Sequence, residues 1–182
     1  MKLLVHCCCA PCSVSVINSL RDEGTESDFL WYNPNIHPFT EYKSRRDCLS
    51  KFADDEKLNL TLIDDYGLRA FLSEVYPDID SRCEKCYSMR LEKTASFAAQ
   101  KGYKSFTTTL LISPYQKHEA IKKIGEDAGE KYGIEFFYRD FRPLFREGQT
   151  LSRSKNFYMQ KYCGCIFSEE DRFLRNTQRE LR

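Results

Sequence analysis

The chain opens on a short apolar run, Lys2-Leu3-Leu4-Val5-His6, which breaks into a cysteine cluster, and apolar residues then recur at Val14, Val16, Ile17 and Leu20. A short run followed by helical spacing predicts strand, loop, helix. After Gly24 the aromatic-rich run Asp28-Phe29-Leu30-Trp31-Tyr32 stops at Asn33-Pro34-Asn35, a second strand closed by a turn. Two strands joined through a helix form a βαβ unit, so a parallel sheet is expected. From Thr40 to Leu58 the chain is charged, with Tyr42, Cys48, Leu49 and Phe52 as sparse apolar positions, and it leads into Leu60-Thr61-Leu62-Ile63: a helix and a third strand. Gly67 to Val75 reads as a short helix. Glu84 to Gln100 reads as a longer one, with Tyr87, Leu91, Thr94, Ala95 and Ala98 on one face and Gly102 after its end. The run from Ser105 to Ile112 is the strongest strand in the pattern, ending at Ser113-Pro114. A helix from about Gln116 to Tyr132 then precedes a strand over Ile134 to Tyr138, and from Asp140 onward the chain reads as helical and basic.

Alternation of this kind implies an α/β layer of about five mainly parallel strands covered on both faces. Ligands of such sheets bind at the carboxyl ends of the strands, near a topological switch point, where residues 7 to 12 would lie. The 182 residues suit one domain, and 41% hydrophobic with 14% aromatic content excludes a disordered or collagen-like chain. No apolar run approaches the roughly 18 to 20 residues of a membrane span, and Cys7 follows Met1 too soon for a signal-peptide core. The expectation is a cytoplasmic protein with no membrane partner.

Nine cysteines, an odd number without an export signal, argue against a framework of structural disulfides. They cluster: Cys7, Cys8, Cys9 and Cys12 lie together, Cys83 and Cys86 are spaced C-x-x-C, Cys163 and Cys165 are spaced C-x-C, and Cys48 stands alone. Adjacent cysteines such as Cys8 and Cys9 diverge from one metal ion but can bind two irons of a cluster. A C-x-x-C at a helix start serves zinc and iron–sulfur sites alike. Cys9-Ala10-Pro11-Cys12 also has thioredoxin-like spacing, with a helix N-terminus to activate a thiol, although such an exchanger needs no later C-x-x-C. Gly164 would permit a small, strained disulfide between Cys163 and Cys165; two free thiols near a helix end are the alternative. Cys7 and Cys48 read as bystanders.

His6, His37 and His118 share no metal-ligand spacing, and no glycine-rich phosphate loop is present, which argues against ATP hydrolysis. Residues 1 to 80 carry eight Lys/Arg against fourteen Asp/Glu, whereas residues 81 to 182 carry twenty against thirteen. The second half is therefore the half suited to face a polyanion.

His6-Cys7-Cys8-Cys9-Ala10-Pro11-Cys12-Ser13 resembles the opening H-x-C-C-A-P-C-S of the epoxyqueuosine reductases of the QueH type. Further blocks are similar: Tyr32-Asn33-Pro34-Asn35-Ile36-His37-Pro38 with Glu41, Tyr42 and Arg45, and Arg82-Cys83-Glu84-Lys85-Cys86-Tyr87 with Arg90 and Leu91. So are the run from Thr107 to Gln116 with His118, and Tyr158 with Gln160-Lys161-Tyr162-Cys163-Gly164-Cys165. The resemblance covers roughly residues 2 to 168, with Cys7 on a variable position and Cys48 outside every block.

The resemblance implies the last step of queuosine biosynthesis, a cobalamin-independent two-electron reduction of the epoxide of epoxyqueuosine in the anticodon loop of tRNA. It implies an oxidoreductase whose [4Fe-4S] ligands are Cys8, Cys9, Cys83 and Cys86, with Cys163 and Cys165 as a redox-active disulfide. Cys12 becomes a candidate ligand of a second metal, an additional mononuclear iron. His6, Tyr115 or an aspartate are candidate proton donors. The partners are tRNA and an electron donor of unspecified identity, with Arg142, Arg146, Arg153, Lys155 and Lys161 as candidate phosphate contacts. The fold class expected is α/β: a single domain over residues 1–182, with a nucleotide-hydrolase-like (HUP-like) core over 1–139 and a basic helical segment over 140–182. Two alternatives stay open: a nucleic-acid-binding protein with structural zinc, and a thioredoxin-like thiol exchanger.

Overall fold

The computed structural model describes residues 2–180, with side chains described through residue 174. Among these residues five parallel strands, β1 (Leu3–His6), β2 (Ser27–Trp31), β3 (Leu60–Leu62), β4 (Ser105–Thr108) and β5 (Glu135–Phe136), form one sheet in the order β3-β2-β1-β4-β5. Leu3 sits in register with Ser27 on one side and Ser105 on the other. All of β1 and β4 and the last four residues of β2 are buried, which is why these segments read as continuous runs rather than alternations.

Among the described residues seven α-helices join and flank the strands: α1 (Ala10–Asp22), α2 (Phe39–Asp55), α3 (Leu68–Val75), α4 (Arg82–Gln100), α5 (His118–Tyr132), α6 (Phe145–Ser154) and α7 (Ile166–Glu180). Strand order runs one way from β1 to β3 and the other way through β4 and β5. Right-handed crossovers therefore place α1 and α2 on one face and α4 and α5 on the opposite face. The packing agrees, since α1 meets α2 and α6 while α4 meets α3 and α5. The predicted apolar faces are the buried ones: Val14, Val16, Ile17 and Leu20 on α1, and Tyr87, Leu91, Thr94, Ala95 and Ala98 on α4. Burying each of Leu4, Ile17 and Leu30 contributes about 1.5–3 kcal/mol.

The run from Ser105 to Ile112 is not one strand. It leaves the sheet after Thr108 and continues as a 3-10 turn over Thr109–Ile112. Thr108 Oγ1 accepts the Leu110 backbone N–H at 3.2 Å, capping the turn, and burial of every residue makes turn and strand look alike in sequence. The predicted strand at 134–138 is confined to Glu135–Phe136. The helical C-terminal segment is interrupted as well: residues 155–165 form an irregular stretch between α6 and α7, and this stretch carries Gln160, Cys163 and Cys165.

Helix α6 is held unusually close to α1. A Cβ on Gly148 would lie 2.7 Å from Ser15 Oγ, and Ser152, one turn on, is fully buried. The small residues face α1, so the polar face of α6, with Arg146, Gln149 and Arg153, is turned toward the end of the sheet where β1 stops. Among the described residues no helix is long and apolar enough to cross a membrane.

Candidate active site

The sheet reverses its winding between β1 and β4, and both strands end at this point in chemistry-bearing turns. The last ladder contact of β1 is the Cys7 N–H donated to Leu30 O at 2.8 Å. Cys8 N–H then donates to Thr109 Oγ1 at 3.1 Å, tying the turn after β1 to the turn after β4. Cys9, with extended backbone, precedes α1, whose first turn contains Pro11 and Cys12. Ser13 Oγ closes the turn by donating to Cys9 O at 2.7 Å.

This geometry brings the sulfurs of Cys8, Cys9 and Cys12 within 4.8 Å of one another, all buried, at the positive end of a helix. Cys8 Sγ and Cys9 Sγ are 3.8 Å apart. Hydrogen bonds from the Cys12 and Cys9 thiols hold the Cys8 thiol well below its ordinary range despite burial, helped by Thr109 and the charge of Arg90. Burial first of all keeps Cys9 well above that range, and the bond to Cys8 does the same for Cys12. One thiolate is thus stabilised by two thiols. Three convergent soft donors of this kind can hold a metal, and thiolates favour zinc, copper(I) and iron–sulfur clusters. The buried Gln160 Oε1 has no hydrogen-bond partner among the described residues, while its Nε2 donates to Cys9 Sγ at 3.2 Å and to Cys12 Sγ at 3.7 Å. A donor-rich, incompletely satisfied pocket of sulfur fits an iron–sulfur group.

Cys83 and Cys86 occupy the first turns of α4, outside the three-sulfur group. Burial pushes Cys86 up to about 12, opposed by the guanidinium of Arg90, whose Nη2 lies 3.2 Å from its sulfur. Cys163 and Cys165 are near enough to act electrostatically on both Cys83 and Cys86. Both are free cysteines, Cys163 exposed and Cys165 buried. The loop that carries them is clamped by buried Arg45, which pairs with Glu41 at 2.6 Å and donates to Cys163 O at 2.8 Å and Tyr162 O at 2.9 Å.

A cavity of about 810 Å³ opens over these groups, with Cys8, Cys12, Arg45 and Arg90 in its floor and Arg146, Gln149 and Arg153 of α6 along one wall. Lys161 and Cys163 line it too, as do Tyr115 and Gln116. Of the five predicted phosphate contacts, the structure gathers Arg146, Arg153 and Lys161 here. Arg142 and Lys155 do not line the cavity: Arg142 pairs with Asp140 at 2.6 Å, and Lys155 with Glu56 at 2.8 Å. Arg45, Arg90, Gln116 and Gln160 had no assigned role in the sequence; Arg90 and Gln160 shared a block with cysteines, whereas Arg45 and Gln116 stood in blocks that hold none.

Cys7 is fully buried, and burial pushes it up to about 12. Cys48 accepts the Tyr158 backbone N–H at 3.3 Å. Each histidine bonds a backbone carbonyl, that of Tyr32, Pro34 or Leu111. His6 is held down to about 4 by burial and the nearby Arg90, has both ring nitrogens engaged and does not line the cavity. Tyr115, 85% exposed at the mouth, does line it.

Fold and site together define an α/β protein with a thiol centre at the carboxyl edge of a parallel sheet, opening on a basic cavity. Among solved structures the chain is similar to a predicted subunit of tRNA methyltransferase from Methanocaldococcus jannaschii. The TM-score is 0.53 at 12% identity, covering 88% of this chain and 93% of that one, a likeness of fold alone. Residues 3–171 match the family model of epoxyqueuosine reductase QueH, and the chain belongs to that family. Relatives named epoxyqueuosine reductase QueH include those of Dehalococcoides mccartyi (36% identical, covering 94% of each chain) and Thermotoga maritima (40%, covering 91% of this chain and 89% of the relative). That of Acinetobacter baylyi is 38% identical, covering 93% of this chain and 81% of the relative.

Proposed function

We propose that this protein is the oxidoreductase that converts epoxyqueuosine to queuosine in the anticodon loop of tRNA, in the cytoplasm and without cobalamin. The observation that carries the reading is the buried Cys8, Cys9 and Cys12 sulfur group, of which Cys8 and Cys12 line a cavity that Arg146, Arg153 and Lys161 also line. A polyanion meets the rim, and a base turned out of the loop reaches the sulfurs. Residues 1–139 supply the sheet and the thiol centre, and residues 140–182 supply the basic wall and the C-x-C loop, as one domain.

Cys8, Cys9, Cys83 and Cys86 would hold a [4Fe-4S] cluster, with Cys12 beside it for an additional mononuclear iron. Such a group, when bound, supplies low-potential electrons and a Lewis acid for the departing oxygen. The chain's own residues do the rest. Arg90 and Arg45 keep positive charge beneath the sulfurs, Gln160 donates to them, and the walls exclude bulk water. Tyr115 O–H at the mouth relays a proton to the departing oxygen and is reprotonated from the dithiol. Cys163 and Cys165 store the electron pair: closing their S–S bond releases two electrons and two protons. The epoxide takes up both, its two C–O bonds break, and a carbon–carbon double bond and water remain. An external electron donor returns the pair to the dithiol.

The test is anaerobic purification with iron, zinc and acid-labile sulfide analysis, spectra before and after dithionite, and turnover of epoxyqueuosine-containing tRNA. Iron and sulfide in near-equal amounts, a chromophore that bleaches, and queuosine as product are expected; iron in excess of sulfide indicates the second site. Zinc without sulfide after reconstitution, and no product, overturns the reading in favour of structural zinc. Metal-free disulfide exchange by Cys9 and Cys12 alone favours the thiol exchanger.

A further inference from the structure

Cys163 lies in the cavity wall, and the amide of Gln116 donates from Nε2 to its sulfur at 3.2 Å. Hydrogen-bond accounting fixes which end of that amide meets the sulfur. The Lys117 backbone N–H donates to the Tyr87 oxygen at 3.2 Å, and the phenol passes its own proton to Gln116 Oε1 at 2.6 Å. A flipped amide would set Oε1 against the sulfur and leave the phenol proton without its acceptor. Tyr87 follows Cys86 directly on α4, so the chain of donors runs from the turn before α5, through the C-x-x-C helix, to the C-x-C loop. Lys117 Nζ braces the same junction by pairing with Glu84 at 2.7 Å.

We propose that Gln116, oriented by Tyr87, is a positioning residue for Cys163 and sets the reduction equilibrium of the Cys163–Cys165 pair. The proposal rests on the reading of that pair as redox-active. A donor aimed at a sulfur favours the state in which that sulfur carries more negative charge, and the reduced pair carries more than the disulfide does. Stabilising the reduced form makes a couple more oxidising. In the oxidised direction both thiols lose a proton and one electron each as the S–S bond forms. In the return direction an external dithiol, such as dithiothreitol, supplies two electrons and two protons and becomes the disulfide.

The experiment equilibrates the anaerobically purified holoprotein with mixtures of reduced and oxidised glutathione, quenches with acid, alkylates and digests with trypsin. Residues 162–172 fall in one peptide that contains Cys163 and Cys165 and no other cysteine, so the pair is read separately from the remaining thiols. Gln116→Leu is expected to move the equilibrium about tenfold toward the disulfide, equivalent to about 30 mV for a two-electron couple. Gln116→Glu, which sets a carboxylate against the sulfur, moves it further in the same direction. Tyr87→Phe moves it by less, because the amide still reaches Cys163 but is free to turn. A role in packing alone predicts lower stability with an unmoved equilibrium. Constants for Gln116→Leu and Tyr87→Phe within about twofold of the unaltered protein overturn the proposal. A peptide that stays dithiol at every glutathione ratio in the unaltered protein overturns the redox role of the pair, and the proposal with it.

Discussion

Arg90 Nη2 lies 3.2 Å from the sulfur of Cys86, one helical turn earlier on α4, and both side chains are buried. The same guanidinium acts on Cys8 across the cavity floor and helps to hold that thiol down. One cation therefore serves sulfurs from two distant segments, the turn after β1 and the start of α4. Burying a charge is costly unless opposite charge is near, so Arg90 and the Cys8 thiolate stabilise each other's presence in the floor.

Arg90→Gln is accordingly expected to cost about 3–5 kcal/mol, the range for breaking one side of a buried charge pair, and to lower bound iron and sulfide per chain. Arg90→Lys keeps the charge but loses the planar fork and falls between the two. Urea unfolding and metal analysis of the same preparations check this. A Gln variant with unaltered iron and an unaltered midpoint would show that the guanidinium is incidental.

Gly164 has a φ of +143°, and a Cβ there would lie 3.2 Å from Arg45 Nη1 and 3.3 Å from Ile36 Cγ1. Arg45 has little room to yield, because Glu41 and two carbonyls of the same loop hold it. Gly164→Ala should cost about 1–3 kcal/mol in backbone strain and displace Cys163 from Gln116. The expected result is slower turnover of tRNA with iron content retained. Equal loss of iron and activity would place the damage in the metal site instead.

Among the five candidate phosphate contacts, the three that line the cavity divide from the two that are paired elsewhere, and tRNA binding measured against salt separates them. Removing Arg146 or Arg153 should reduce the slope of log K against log salt by about 0.7 each, the value for a single-stranded phosphate contact. Arg142→Ala and Lys155→Ala release Asp140 and Glu56 instead, and should leave the slope unchanged. Equal effects at all four positions would spread the footprint beyond the cavity.

The division follows from what a sequence carries. Helices α1, α2 and α4 were legible because burial of one face imposes a period on neighbouring residues, and β1 and β2 because short continuous apolar runs stop at the cysteine cluster and at Asn33-Pro34-Asn35. Ser105 to Ile112 misled because full burial erases the period that distinguishes a strand from a 3-10 turn. The cysteines were legible because their type and spacing are rare, but their grouping was not. Cys12 joins Cys8 and Cys9 through the turn of α1, whereas Cys163 reaches the neighbourhood of Cys83 through an irregular loop that no period describes. Arg90 and Gln160 are ordinary residue types, and only the tertiary fold brings their donors to sulfur.

His37 gives the fold a pH dependence of definite sign. It is fully buried against the rings of Tyr66 and Phe71, and its Nε2 contacts Pro34 O at 3.1 Å, which leaves Nδ1 without a partner among the described residues. Burial holds it down to about 4, because a proton on Nδ1 would be a buried donor with nothing to accept it. The unfolded chain binds a proton near pH 6.5 that the folded chain refuses until about pH 4. The contribution is therefore complete above about pH 6.5 and is lost as pH falls toward about 4, roughly 3 kcal/mol in all. His6, held down to about 4 as well, acts in the same direction. Urea midpoints at about pH 7 and about pH 5 should show the loss, and His37→Gln should remove about half of the difference. A Gln variant that keeps the full difference would assign the dependence to other groups, His6 first among them.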